Sequence, residues 1–127
     1  MAAPSRTSIL IVDDNDVGRA MLRHILIEHG YKVVGTAASG QLGLELAARL
    51  QPQIVCLDIM LPDCNGLDVL KRVREQWPQT TVLMVTGDND RTSVSTAMQH
   101  GAAGYIVKPF NPATLLQTIA QVAFKTV

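Results

Sequence analysis

Aromatic residues make up only 4% of the chain: one tryptophan, two tyrosines and two phenylalanines. Any core must therefore be filled by aliphatic side chains. Charge is also scarce, at 17% of residues, and the 11 Lys plus Arg are balanced by 11 Asp plus Glu to a net charge of zero. A balanced chain has no electrostatic footprint for nucleic acid or an anionic membrane, so direct binding of either is not expected. There are two cysteines, Cys56 in an apolar run and Cys64 in the loop after it. They make no disulfide framework, and their spacing does not suit a metal pair, so both are read as reduced thiols of a cytoplasmic protein. No apolar run approaches the ~18 residues of a membrane span, and residues 1–7 lack the apolar segment of a secretion signal. What is present is 47% hydrophobic residues over 127 positions, enough for one core without room for a second domain. The expected organisation is a flexible leader over residues 1–7 and a single domain over residues 8–127.

The most informative stretch is Ile54-Val55-Cys56-Leu57-Asp58, in which four apolar residues run straight into a carboxylate. So short an apolar run, bounded by Pro52 and Pro62, reads as a strand buried on both faces of a parallel sheet. Asp58 then stands at the carboxyl end of that strand, where open parallel sheets gather ligands and chemistry. Three other runs end in the same way. Ile9-Leu10-Ile11-Val12 ends in Asp13-Asp14, Val82-Leu83-Met84-Val85 in Thr86-Gly87, and Tyr105-Ile106-Val107 in Lys108-Pro109. Each of these polar residues alone has an ordinary explanation as a helix cap or a solvated strand end. Four strand ends delivering three carboxylates, a hydroxyl and an ammonium to one edge do not.

Between the strands the spacing turns helical. Asn15 or Asp16 caps a helix carrying Val17, Met21, Leu22, Ile25 and Leu26, and Gly30 closes it. After a strand over Lys32 to Ala37, Ser39 caps a helix with Leu42, Leu46, Ala47 and Leu50 inward, ended by Gln51-Pro52. A third helix, Gly66 to Trp77, carries Leu67, Leu70, Val73 and Trp77 on one stripe. A fourth, Arg91 to His100, is weak, since Thr92, Ser93, Ser95 and Thr96 together forgo about 2 kcal/mol of helicity relative to alanine. Asn111-Pro112 opens a last helix with Leu115, Leu116, Ile119, Val122 and Ala123 inward. Five strands alternating with five helices predict an α/β fold, a doubly wound five-stranded parallel sheet with helices on both faces. Strand order is not readable from the pattern alone. The flavodoxin-like order 2-1-3-4-5 is the one that would set strands one and three side by side, bringing Asp13, Asp14 and Asp58 together.

Three carboxylates held close either raise a pKa or recruit a cation. Mg²⁺, which takes a few carboxylate oxygens and keeps waters for a phosphate to replace, suits a sparse acidic set. Zinc does not, because His24, His29 and His100 all fall in helices away from the strand ends. A carboxylate beside Mg²⁺, with Lys108 and Thr86 across the pocket, is equipped to form an aspartyl phosphate. Two rivals on the same fold fare worse. A phosphatase would need a second acid near the nucleophile, where Met60 stands, and a flavin carrier would need a phosphate-binding loop where Asp13-Asp14 would repel the flavin phosphate.

These residues carry a resemblance. Val12-Asp13-Asp14, Asp58-Ile59-Met60-Leu61-Pro62 with Asn65-Gly66, Thr86-Gly87, and Tyr105 with Lys108-Pro109-Phe110 resemble the signature of the response-regulator receiver domain of two-component signalling, over nearly the whole chain. The resemblance implies that Asp58 accepts a phosphoryl group from a phosphohistidine of a histidine kinase or a histidine phosphotransfer domain. It implies Mg²⁺ held by Asp13, Asp14, Asp58 and the Met60 backbone carbonyl, with Asp13 acting partly through water. Lys108 would contact the phosphoryl group, its bond to Pro109 would be cis, and Thr86 with Tyr105 would switch the surface read by a downstream protein or a missing effector domain. One departure is Asn65, where the family often has Asp.

Overall fold

The computed structural model describes residues 7–125. In chain order it contains β1 (Ser8–Val12), α1 (Asp16–Glu28), β2 (Lys32–Ala37), α2 (Gly40–Leu50), β3 (Ile54–Leu57), α3 (Gly66–Gln76), β4 (Thr81–Thr86), α4 (Arg91–Gln99), β5 (Gly104–Val107) and α5 (Pro112–Lys125). All neighbouring strands are parallel and their order is β2-β1-β3-β4-β5. This is the flavodoxin-like order. Of the expected leader, residues 1–6 lie outside the described residues; Thr7 is buried, and its carbonyl accepts from the Lys32 N–H at 3.1 Å. No helix among the described residues is long and apolar enough to cross a membrane.

The alternation of side chains along each strand divides the core between two faces. Ile9, Ile11, Ile54, Cys56, Leu83 and Val85 meet α1 and α5 on one face, through Leu22, Leu26, Leu115 and Ile119. Leu10, Val12, Val55, Leu57, Val82 and Met84 meet α2, α3 and α4 on the other, through Ala47, Leu70, Val73 and Ala97. Ile9, Leu10, Ile11, Ile54 and Leu57 are wholly buried, and each such side chain stabilises the fold by about 1.5–3 kcal/mol. Trp77 caps the C-terminus of α3 and packs, partly buried, against the second cluster. Side chains at the residue before the helix cap α1 (Asn15), α2 (Ser39), α3 (Asn65) and α4 (Asp90).

Helix α2 corrects the expected inward face. Leu42 and Leu50 are 40% and 36% exposed, while Gly40, Gly43 and Ala47 are the buried positions. The cause is a close approach, since a Cβ on Gly43 would lie 2.9 Å from a methyl of Val12. Small residues therefore face the sheet and the leucines move to the flanks. Helix α1 behaves similarly at its start: Leu22, Ile25 and Leu26 are buried, but Val17 and Met21 are 72% and 53% exposed.

Glycine is required sterically at the join between β3 and α3. A Cβ on Gly66 would fall 2.0 Å from the Asp58 carbonyl oxygen and 2.6 Å from Ile59 Cα, both backbone atoms that yield little, whereas one on Gly87 would meet nothing within 4 Å. Gly66→Ala should thus lower unfolding stability by about 2–3 kcal/mol. Gly87→Ala should stay within about 0.5 kcal/mol of wild type. Urea midpoints of the two variants measure the difference, and equal midpoints would refute the steric account.

Candidate functional site

The site is built at the carboxyl ends of β1, β3 and β5. The Asp13 N–H extends the sheet pairing to the Ala37 carbonyl at 2.9 Å, and the Asp58 N–H donates to the Val12 carbonyl at 3.0 Å. Both residues are therefore fixed by backbone geometry before their side chains act. Asp13 and Asp58 are 3% and 6% exposed, and Asp14 is exposed. One carboxylate oxygen from each lies within 4.8 Å of the others. Lys108 reaches them from the end of β5, its Nζ donating to Asp13 Oδ2 at 2.5 Å and to Asp58 Oδ2 at 3.0 Å. Burial is the largest influence on this ammonium and lowers its pKa, but the hydrogen bonds and charges of Asp13 and Asp58 outweigh it and hold the group above the ordinary lysine value. The Lys108–Pro109 bond is cis.

The remaining oxygens are also engaged. Asp13 Oδ1 accepts from the Asn15 N–H at 2.9 Å, and Asp58 Oδ1 accepts from the Met60 N–H at 3.2 Å. Asp13, Asp14, Asp58, Met60, Gly87 and Lys108 stand on the wall of one open cavity of about 730 Å³, which continues over the exposed apolar side chains of Val17 and Met21. Three carboxylates face one ammonium here, a donor set of hard oxygens that fits a divalent cation such as Mg²⁺. His24, His29 and His100 lie elsewhere: His24 sits 3.5 Å from Glu28, His29 Nδ1 meets the Ile25 carbonyl, and His100 ends α4.

Thr86 and Tyr105 are not on the cavity wall. Thr86 is wholly buried, and its Oγ1 accepts from the Asp88 N–H at 3.3 Å. The Tyr105 hydroxyl donates to the Asp88 carbonyl at 2.6 Å. Burial, then the charges of Asp88, Asp58 and Asp90, push its phenol up to about 12, so it stays a neutral donor. Asp88 further accepts from Ser93 Oγ at 2.7 Å and from the Asp90 N–H at 2.9 Å. The sequence reading missed this junction, and it missed Arg19, whose Nη1 donates to the Asp13 carbonyl at 2.8 Å. The only local signal for Arg19 was its spacing of three from Asp16, to which its Nη2 donates.

Against known proteins, the response regulator receiver domain matches residues 9–120. The chain belongs to that family. Chemotaxis protein CheY of Thermotoga maritima is 34% identical over 115 residues, covering 91% of this chain and 96% of that one. A CheY-like receiver domain from Methanospirillum hungatei JF-1 superposes with a TM-score of 0.90 at 31% identity, covering 94% of this chain and 95% of its own. The CheX-CheY-BeF3-Mg²⁺ complex from Borrelia burgdorferi matches with a TM-score of 0.86 at 29% identity, over 91% of this chain and 88% of its own. Longer regulators match too, and of three of these the chain spans 53–58%. It is thus a receiver of two-component signalling.

In this receiver, removing the Lys108 ammonium leaves Asp13 and Asp58 as neighbouring acids with no ion-pair partner among the described residues. Breaking a fully buried pair costs roughly 3–5 kcal/mol, and with the Lys108 side chain 25% exposed the expected loss for Lys108→Ala is about 2 kcal/mol. Added Mg²⁺ should recover part of it. Denaturation of wild type and variant with and without the ion is the check, and a Mg²⁺-independent difference would mean the carboxylates do not share a cation site.

Proposed function

We propose that this receiver takes a phosphoryl group onto Asp58 from a phosphohistidine of a histidine kinase or histidine phosphotransfer domain. The single observation that carries the reading is the Lys108 ammonium bridging Asp13 and Asp58 at the mouth of a cavity next to three carboxylates. An Asp58 oxygen attacks phosphorus, the phosphorus–nitrogen bond breaks, and its electron pair returns to the imidazole. Asp13, Asp14, Asp58 and the Met60 carbonyl would hold Mg²⁺, which when bound supplies charge neutralisation at the phosphoryl oxygens. Lys108 would turn from the carboxylates to the incoming phosphoryl group. The exposed Val17, Met21 and Met60 beside the cavity offer an apolar rim to the donor protein. The receiver is proposed to span residues 8–127 as one domain and to work in the cytosol, where free Cys56 and Cys64 stay reduced. Its output goes to a downstream protein or to an effector domain of the kind that longer relatives have length for.

With a small phosphoryl donor and Mg²⁺, intact-mass measurement should show one phosphoryl group on wild type and none on Asp58→Asn, since an amide is no nucleophile. EDTA should suppress the reaction. Phosphorylation of the amide variant at the wild-type level would sink the assignment.

Output is proposed to leave through α4, β5 and α5. A phosphoryl oxygen accepting from the Thr86 hydroxyl would pull Oγ1 away from the Asp88 N–H that donates to it, and Asp88 is tied to Tyr105 and to Ser93 of α4. This is a population shift between two packings, biased by their different affinity for the phosphoryl group. Thr86→Ala should still phosphorylate at Asp58 yet lose most of the response over residues 93–105. Amide exchange across that segment decides: equal changes in wild type and variant would exclude Thr86 as the switch.

A further inference from the structure

The loop from Ile59 to Asn65 carries Met60 and is closed at its base. The Gly66 N–H donates to the Ile59 carbonyl at 2.7 Å, and Met60 bridges to Asn65. Its tip is held differently. Asp63 Oδ1 accepts from the Gly40 N–H at 2.8 Å and Asp63 Oδ2 from the Gln41 N–H at 2.9 Å, so one carboxylate grips the first two donors of α2 across 23 and 22 residues of chain. The ordinary cap of that helix is already supplied by Ser39, whose Oγ accepts from the Leu42 N–H and whose carbonyl accepts from the Gly43 N–H. Asp63 is thus an addition to the local cap, and the positive end of α2 favours its charge. A second contact acts at the same place. A Cβ on Gly40 would lie 2.2 Å from Cys64 Sγ, so the loop rests flush on the first turn of α2 because residue 40 has no side chain. Loop and helix are locked by a two-point carboxylate and a close packing contact on adjacent residues. The hydrogen bonds from Gly40 and Gln41 keep the Asp63 carboxyl below the usual carboxylate range, so the grip persists at neutral pH.

We propose that Asp63 is a positioning residue for the cation site: by fixing the loop tip to α2 it sets where the Met60 backbone stands relative to Asp58. The inference rests on the proposed Mg²⁺ site. Asp63 touches neither ion nor phosphoryl group; it acts through the loop.

Calorimetric titration with Mg²⁺ alone, on the full chain, tests it. Asp63→Ala should weaken binding about tenfold, the size typical of residues that orient metal ligands from behind. Asp63→Asn should recover part of that, because the amide oxygen still accepts from one N–H. Ser39→Ala removes a cap from the same helix without touching the loop, and should lower the unfolding midpoint while leaving the Mg²⁺ affinity at the wild-type value. Gly40→Ala, which presses on Cys64 from the helix side with Asp63 intact, should weaken binding as well, and it carries the test if Asp63→Ala does not fold. Metal-free amide exchange gives a readout that a mere cap would not move: the Met60 and Leu61 N–H groups should exchange faster in Asp63→Ala than in Ser39→Ala. Wild-type Mg²⁺ affinity in a folded Asp63→Ala, or in Gly40→Ala, overturns the positioning role alone. A wild-type chain that binds no Mg²⁺ overturns the metal reading and this inference together.

Discussion

The Lys108 ammonium between the Asp13 and Asp58 carboxylates is the contact on which the site depends. Parallel pairing of β1 with β3 places two buried acids at adjacent strand ends, with Asp14 beside them. Without a counter-charge the two buried carboxylates would face each other with their repulsion uncompensated. The cation comes from β5, separated from β3 by β4 and from β1 by β3 and β4, so the side chain serves one acid whose strand lies two spacings away, roughly 10 Å, and one whose strand lies three away, roughly 14 Å. Its starting point is fixed by the Lys108 N–H, which donates to the Thr86 carbonyl at 2.8 Å. One long side chain thereby closes the far edge of the sheet over its centre, and among the described residues it sets one ammonium against the three acids of the proposed cation site.

Rigidity is distributed unevenly around that contact. The strands that deliver Asp13 and Asp58 consist of residues almost wholly removed from water, and Gly66 packs so tightly under Asp58 that even a methyl group has no room. Helix α4 offers a contrast, with Ala97 as its only buried residue and four hydroxyl-bearing residues among its nine. Burial sets how much a segment loses by moving. The acid cluster cannot shift without dismantling both halves of the core, whereas α4 can.

Much of this was legible in the sequence because parallel strands buried on both faces are short, continuous apolar runs and their ends are unambiguous. Asp13, Asp14, Asp58, Thr86 and Lys108 could be placed at strand ends from that signal alone, and the convergence of β1 with β3 followed once the doubly wound order was taken. Helix α2 was less legible. Its periodicity marked leucines as inward, but the helix approaches Val12 of β1 so closely that only Gly43 and Ala47 fit, and periodicity carries no information about the distance between helix and sheet. Asp63 was illegible for another reason. Its donors lie 22 and 23 residues earlier, and a carboxylate in a polar loop looks the same whether it caps a distant helix or faces water. The same holds for Asp88, whose partners Thr86, Ser93 and Tyr105 come together only after β4, α4 and β5 have folded.

That junction at Asp88 bears on how a small chemical change at Asp58 could be felt outside the site. Four hydrogen bonds meet there, to Thr86, Asp90, Ser93 and Tyr105, each contributing about 1 kcal/mol net. Helix α4 forgoes about 2 kcal/mol of intrinsic helicity, so the junction, at roughly 4 kcal/mol, outweighs that deficit about twofold. Losing one of the four bonds, the one from the Asp88 N–H to the Thr86 hydroxyl, would shift a balance between two packings about fivefold, since about 1 kcal/mol is worth that factor. Had α4 been an alanine-rich helix with a broad buried face, the same lost bond would have been absorbed without visible movement. The polar composition of Arg91–Gln99 is therefore what would let an event of about 1 kcal/mol beside the sheet become a change in surface under the proposed switch.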